Sequence, residues 1–167
     1  MAKVVIKLGD DISTDVIYPG RFMATVLPSE TPQFAFADSV EFNSRLKAKE
    51  IPRGSVIVAG KNFGCGSSRE QAVSTLKGYE LTIVAKSFAR IFLQNSVNLG
   101  LRLVETPDIE ASENDELEIE ADHVLNKTTG KMFSTVPLPK ARQAIIDAGG
   151  LIAYTRRRVI EKGNANA

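Results

Sequence analysis

The densest chemistry in the sequence lies in eleven consecutive residues, Gly60-Lys61-Asn62-Phe63-Gly64-Cys65-Gly66-Ser67-Ser68-Arg69-Glu70. Three glycines let the backbone turn tightly and present consecutive N–H groups ahead of a helix. Such a nest, reinforced by the helix dipole, attracts carboxylate or phosphate. Ser67 and Ser68 add hydroxyl donors, and Arg69 offers a planar fork matched to a carboxylate. A plain helix cap explains the same residues, with Ser67 or Ser68 on a backbone N–H and Arg69 in solvent. On local chemistry both readings stand. A nucleotide-cleaving P-loop requires Gly-Lys-Ser/Thr after its last glycine, and Gly66-Ser67-Ser68 lacks the lysine. A thiol nucleophile at Cys65 wants a histidine, and the only one is His123, on a distant alternating segment. Cys65 therefore reads as a packing residue, and a Ser-His-Asp triad meets the same objection.

The rare residues limit the chemistry further. One Cys, one His and no Trp exclude an internal disulfide, and they leave no ligand set for an iron–sulfur cluster or structural zinc within the chain. Metal chemistry, if any, must come from another chain. Lys+Arg is 21 against Asp+Glu 20, so no global field argues for nucleic acid or an anionic membrane. No apolar run approaches the roughly 18–20 residues of a membrane span. Met1-Ala2-Lys3-Val4-Val5-Ile6-Lys7-Leu8 meets an acidic turn before a signal-peptide core could form, and reads as the first strand of a cytoplasmic protein. With 167 residues and 43% apolar content, one globular domain is expected.

The elements that must hold the glycine loop follow from periodicity. Ser55–Ala59 is a β-branched run ending at Gly60, fit for a buried strand. Ser67 to Lys77, with Glu70 in the first turn and Gly78 behind, carries helix start and stop signals. Leu81–Ala85 is the next strand, and Ser87–Asn98 the next helix, with Phe88, Ile91, Phe92 and Val97 on one face. Leu101–Val104 is a third strand. This alternation argues a sheet covered by helices. After Pro107, Glu116–Glu120 alternates with period two, and Asn126–Lys131 reads as a hairpin turn into Met132–Val136. Lys140–Ala148 is a short helix ended by Gly149-Gly150, whereas Leu151–Ile160 fits strand or helix equally. The tail from residue 161 to 167 is expected to fray. Near the N-terminus, Asp10–Asp15 is a polar turn cluster, Pro19-Gly20 and Pro28–Pro32 punctuate a long loop, and Asp38–Lys49 fits a helix.

The eleven-residue block resembles the signature of the aconitase superfamily's swivel domain, whose free-standing form is the small subunit of 3-isopropylmalate dehydratase and its homoaconitase relatives. Two further blocks agree: Gly9-Asp10-Asp11-Ile12-Ser13-Thr14-Asp15 with Ile17 and Pro19-Gly20-Arg21, and Ala85-Lys86-Ser87-Phe88-Ala89-Arg90-Ile91-Phe92 with Asn95, Asn98 and Gly100-Leu101. Order and spacing match from residue 4 to about 105. The resemblance implies a single α/β domain over 1–167, of the aconitase-type swivelling β/β/α kind, with a central mixed sheet flanked by helices. The less diagnostic part is 106–160.

The resemblance also implies an activity. The chain would be the small subunit of a heteromeric hydro-lyase acting on a small hydroxy di- or tricarboxylate, inactive without a large subunit bearing a [4Fe–4S] cluster. No cofactor or metal is then expected on this chain, nor nucleic acid or membrane as partner, while self-association of the isolated chain is compatible with the sequence. Ser67 matches the family's base, Arg69 its carboxylate-binding arginine, and Ser68, Gly66 and Gly64 its supporting donors. The loop after Pro19-Gly20 is expected to close over substrate. Within it, Arg21-Phe22-Met23-Ala24-Thr25 matches the stretch that recognises the substrate's variable group. An arginine at the Ala24 position goes with an extra carboxylate in homoaconitases, so Ala24 points to an alkyl substituent, as in isopropylmalate in leucine biosynthesis. Dimethylmalate and citramalate come next, and tricarboxylates last. The competing class is a non-catalytic anion-binding regulatory module. Lys86, Arg90, Arg156-Arg157-Arg158 and His123 read as structural or solvated positions.

Overall fold

The computed structural model describes residues 1–165. Seven strands form one sheet in the order β4-β3-β2-β1-β5-β6-β7. Its parallel half contains β1 (Ala2–Lys7), β2 (Val56–Ala59), β3 (Thr82–Ala85) and β4 (Leu103–Glu105). The antiparallel half adds β5 (Glu116–Ile119), β6 (His123–Asn126) and β7 (Lys131–Ser134) beyond β1. Past β7, the Val136 N–H donates to the Glu105 carbonyl at 2.8 Å, so the chain bridges back to β4 and the sheet curls on itself.

The β-branched runs of β2 and β3 are buried at every position, as strands covered on both faces must be. Side chains alternate between two cores. After the single turn α1 (Thr14–Ile17), helices α2 (Val40–Lys47), α3 (Glu70–Gly78) and α4 (Arg90–Leu99) face Ile57, Ala59, Ile83 and Ala85, in a core with Leu46, Leu76 and Phe92. Val56, Val58 and Val84 point the other way, to Val4, Leu117, Val124 and Phe133. Helices therefore cover one face of the parallel half, and the curled antiparallel half covers the other. α5 (Lys140–Asp147) and α6 (Leu151–Ala165) complete the chain.

Several expected boundaries move. The helix anticipated from Ser67 begins at Glu70, and neither serine caps it: Arg69 is the N-cap and makes no side-chain capping bond. The helix anticipated from Ser87 begins at Arg90, because Ser87 and Phe88 instead form a bridge with the motif loop. The third strand shifts to 103–105. Leu151–Ile160, undecided by periodicity, is helical, and the same helix runs through Ala165, into the stretch where a frayed tail is expected. Residues 166–167 lie outside the described residues. Asn126 closes the β6–β7 hairpin by accepting from the Thr128 and Thr129 N–H groups.

Candidate active site

The motif loop leaves the carboxyl end of β2 and is fastened on two sides. On one side, the Asn62 N–H donates to Ser87 Oγ at 2.9 Å, the Phe63 N–H to the Ser87 carbonyl at 3.0 Å, and the Ala89 N–H to the Phe63 carbonyl at 2.9 Å. On the other side lies the segment after β1. Asp10 Oδ1 accepts from the Lys61 N–H at 2.7 Å, Asp11 Oδ1 from Asn62 Nδ2 at 2.8 Å, and the Ile12 carbonyl from the Gly64 N–H at 2.7 Å. Thr14 adds two bonds of 2.8 Å, its N–H to the Cys65 carbonyl and its hydroxyl to the Ser67 carbonyl. The polar turn cluster of residues 10–15 is thus a clamp on the loop.

Gly64 has φ +82°, and an added Cβ would lie 2.2 Å from Phe92 Cγ. Glycine is needed there both for the left-handed backbone and for the approach of a core ring, which packs edge-on against Phe63 at 5.3 Å. Gly66, at φ +88°, meets nothing closer than 3.7 Å. Beyond this turn Gly66, Ser67 and Ser68 are exposed. Among the described residues their N–H groups and both serine hydroxyls make no hydrogen bond. They precede the N-terminus of α3, which has no side-chain cap. Donors and a helix dipole therefore converge on an open face. Clefts of about 470, 360 and 420 Å3 on the described surface are lined by residues elsewhere.

Arg69 is the fixed cation of this face, with a side chain only 17% exposed. Its Nη1 donates to Asp15 Oδ1 and to the Tyr18 carbonyl at 3.2 Å. Asp15 Oδ1 also accepts from the Gly20 N–H at 2.8 Å. The Arg69 hydrogen bond, then the Gly20 N–H, hold the Asp15 carboxyl below its ordinary value, so it stays ionised against Arg69. A Cβ at Gly20 would stand 3.1 Å from Arg69 Nη2, so this glycine keeps the guanidinium's second edge clear. Nη2 and Nε make no hydrogen bond among the described residues. The solvated arginine of the simple-cap reading is not what the structure holds.

The five residues 21–25 sit beside this face on a loop anchored from below. Tyr18, fully buried, points its hydroxyl at the Phe22 and Thr25 carbonyls, 3.1 and 3.3 Å away. Burial raises its phenol pKa, partly offset by the bond to Thr25. Phe22 stacks on Phe34 at 4.2 Å, and Arg21 pairs bidentately with Asp38 while lying over the Phe22 ring. Met23 and Ala24 are exposed and Thr25 half-buried. Neither Asp15 nor Tyr18 is among the site residues expected from the sequence. The signal for Asp15 was its place in the Asp10–Asp15 cluster, but nothing local marks Tyr18. Lys86 and Arg90 border the loop without an ion-pair partner among the described residues. His123 is on β6, paired with Asp122 at 2.8 Å and away from the loop. No group of three or more His, Cys, Asp or Glu suited to a metal occurs among the described residues. None of their helices is long and apolar enough to cross a membrane.

A parallel β-α-β frame whose glycine loop presents serines and a helix N-terminus on an open face, clamped by the segment after the first strand, defines an aconitase-type swivel domain. Residues 12–108 match the family model described as the aconitase C-terminal domain, and the chain belongs to that family. The 3-isopropylmalate dehydratase small subunit of Methanosarcina mazei is 41% identical over 160 residues, covering 93% of this chain and 96% of the relative. The isopropylmalate/citramalate isomerase small subunit of Methanocaldococcus jannaschii is 40% identical over 161 residues, covering 93% of each chain. A crystal structure of 3-isopropylmalate dehydratase from that organism superposes with a TM-score of 0.87 at 35% identity, over 98% of this chain and 97% of that one.

Proposed function

We propose that this chain is the small subunit of a 3-isopropylmalate dehydratase, a single swivel domain that supplies one wall of an active site shared with a large subunit. The carrying observation is the open face at Gly66–Ser68, where two unpartnered serines and free N–H groups stand beside a fixed arginine. The reaction removes a proton and a hydroxyl from adjacent carbons of 2-isopropylmalate as water, then returns them with positions exchanged to give 3-isopropylmalate. Cys65 is the only thiol here, so the [4Fe–4S] cluster belongs to the large subunit; when bound there it supplies a Lewis acid for the substrate hydroxyl and one carboxylate.

Ser67 is assigned the base. Its oxygen takes the proton from the carbon next to a carboxylate and returns one to the neighbouring carbon. A free hydroxyl is far too weak for this, so its alkoxide needs charge stabilisation. The N–H groups of Gly66–Ser68, the N-terminus of α3 and the nearby guanidinium would give it, whereas the Gly64 N–H, expected from the resemblance as a supporting donor, is already taken by the Ile12 carbonyl. Arg69 grips a substrate carboxylate through Nη2 and Nε while Nη1 stays with Asp15 and Tyr18, and Ser68 adds a hydrogen bond. An ionised Asp15 sets the guanidinium plane in advance, which lowers the ordering cost of binding.

Arg21, Phe22, Met23, Ala24 and Thr25 are assigned the substrate's variable group. Exposed Met23 and Ala24 suit an alkyl substituent and give a second carboxylate no countercharge. Citramalate is the second substrate reading, favoured by the isopropylmalate/citramalate relative. Leucine biosynthesis in the cytoplasm is the setting this assignment implies.

The test is Ser67→Ala in the complex reconstituted with the large subunit. Turnover should fall by about 10³-fold or more, roughly 4 kcal/mol of transition-state stabilisation, with cluster absorbance and assembly unchanged. Near-normal turnover overturns the assignment of the base.

A further inference from the structure

α6 has more exposed surface than the domain uses. It packs on α4 and α5, yet over residues 151–164 only Ala153 and Tyr154 are half-buried, and every side chain from Thr155 to Asn164 is exposed. Ile152, Val159 and Ile160 are 77%, 65% and 56% exposed. Their spacing of seven and eight puts them on one side of the helix, with Arg156 and Gly163 in the same stripe. Arg158 folds onto Tyr154, its guanidinium 5.7 Å from the ring centre. Arg156, Arg157 and Lys162 have no ion-pair partner among the described residues, and Glu161 is the helix's single acid. A helix of this length with so little of its surface buried is marginal in water.

We propose that α6 is a second docking element for the large subunit, seating Ile152, Val159 and Ile160 in an apolar trough bordered by acidic side chains. The proposal rests on the functional reading above. Charge selects the occupant: two copies of α6 would oppose cations to cations, whereas an acidic rim would pair with Arg156, Arg157 and Lys162. Continuity with the site selects the large subunit among acidic partners. α4 starts at the motif loop, where Ala89 bonds Phe63. It ends against the base of α6, where an added Cβ on Gly100 would lie 2.5 Å from the Gly149 carbonyl carbon. The ten-residue helix separates the two by roughly 15 Å, a distance one partner face can span. Ile91, 52% exposed on α4, lies between them along the chain.

The experiment titrates the purified, cluster-loaded large subunit with the whole chain, comparing wild type with Ile152→Asp/Val159→Asp and with Arg156→Glu/Arg157→Glu. All four positions are solvent-exposed, so the isolated variants should keep the wild-type melting temperature. The Kd should rise at least about tenfold for each double variant, some 1.4 kcal/mol. Activity at saturating subunit should be retained, and the salt sensitivity of binding should shrink in the charge-reversed protein. Unchanged Kd in both variants overturns the proposal. So does a loss confined to self-association of the isolated chain in sedimentation, which would assign the stripe to a second copy. Failure of the wild-type chain to bind at all overturns the functional reading itself and is distinguishable from both.

Discussion

Gly64 and Gly66 separate two reasons for requiring glycine. Both have positive φ, at +82° and +88°. Alanine at Gly66 makes only ordinary contacts, 3.7 Å from Ser13 Cβ and 3.8 Å from Thr14 Oγ1, so its cost is the left-handed backbone alone, about 1 kcal/mol. Alanine at Gly64 bears the same backbone cost and drives a methyl to 2.2 Å from Phe92 Cγ and 2.5 Å from Phe92 Cβ. Phe92 cannot swing away freely, because it stacks on Phe88 and packs edge-on against Phe63. Overpacking of a filled core adds about 2 kcal/mol. The total of about 3 kcal/mol is expected to lower Tm by roughly 6–12 °C in a chain of this size, against about 2–4 °C for Gly66→Ala. Urea unfolding read by fluorescence and circular dichroism gives both values, with midpoints moving and slopes constant. Equal losses in the two variants would refute the packing reasoning. A Gly64→Ala loss below about 1 kcal/mol would refute the backbone argument too.

Three further outcomes follow from the same geometry. Asp15 titrates below its ordinary value because of Arg69 and Gly20, so the tie it makes is complete above the unfolded-state pKa near 4 and is lost as pH falls through the lowered folded value. Amide exchange at Gly20 should accelerate at acid pH beyond the intrinsic trend, and Asp15→Asn should abolish that step; identical profiles would sink the linkage. Lys77 reaches the Leu99 carbonyl and the Gly149 carbonyl at 2.8 Å, with burial lowering its pKa; Lys77→Met should cost about 2 kcal/mol in denaturant unfolding, and a neutral effect would mean that this tie contributes nothing. Ala24→Arg should move the ratio of kcat/KM from isopropylmalate toward homocitrate by about tenfold, equivalent to roughly 1.4 kcal/mol, and an unmoved ratio would remove the specificity role of residues 21–25.

The framework of the motif was legible because its signals are local. The run Val56–Ala59, the glycines behind it, the apolar face of α4 and the stop at Gly100 are each written within a few residues. What the sequence misplaced was decided at long range. Ser67 and Ser68 carry helix-cap chemistry, yet the Ser67 carbonyl is held by the hydroxyl of Thr14, 53 residues away, and the helix starts beyond them. Ser87 was assigned to a helix and serves instead as the acceptor for Asn62. Asp15 escaped notice as a partner of Arg69 because 54 residues separate them. In α6 the periodicity was ambiguous because its apolar stripe faces solvent, so no buried face sharpened the pattern.

The place of β1 sets the order in which this chain can be assembled on a ribosome. β1 emerges before both of its neighbours, and it is an interior strand: Val4 is in register with Val56 on one side, and Ala2 with Leu117 on the other. At about 5–20 residues per second, its second neighbour follows roughly 6–23 seconds later, and until then Ala2, Lys3 and Val4 present an unpaired strand edge. The clamp at residues 10–15 waits as well, since its acceptors and donors lie at residues 61–67. Synthesis therefore passes through a nascent stage with a sticky leading strand and no site, and folding closes it only once the antiparallel half is out. Chaperone shielding of β1 during that interval should raise the yield of assembled protein.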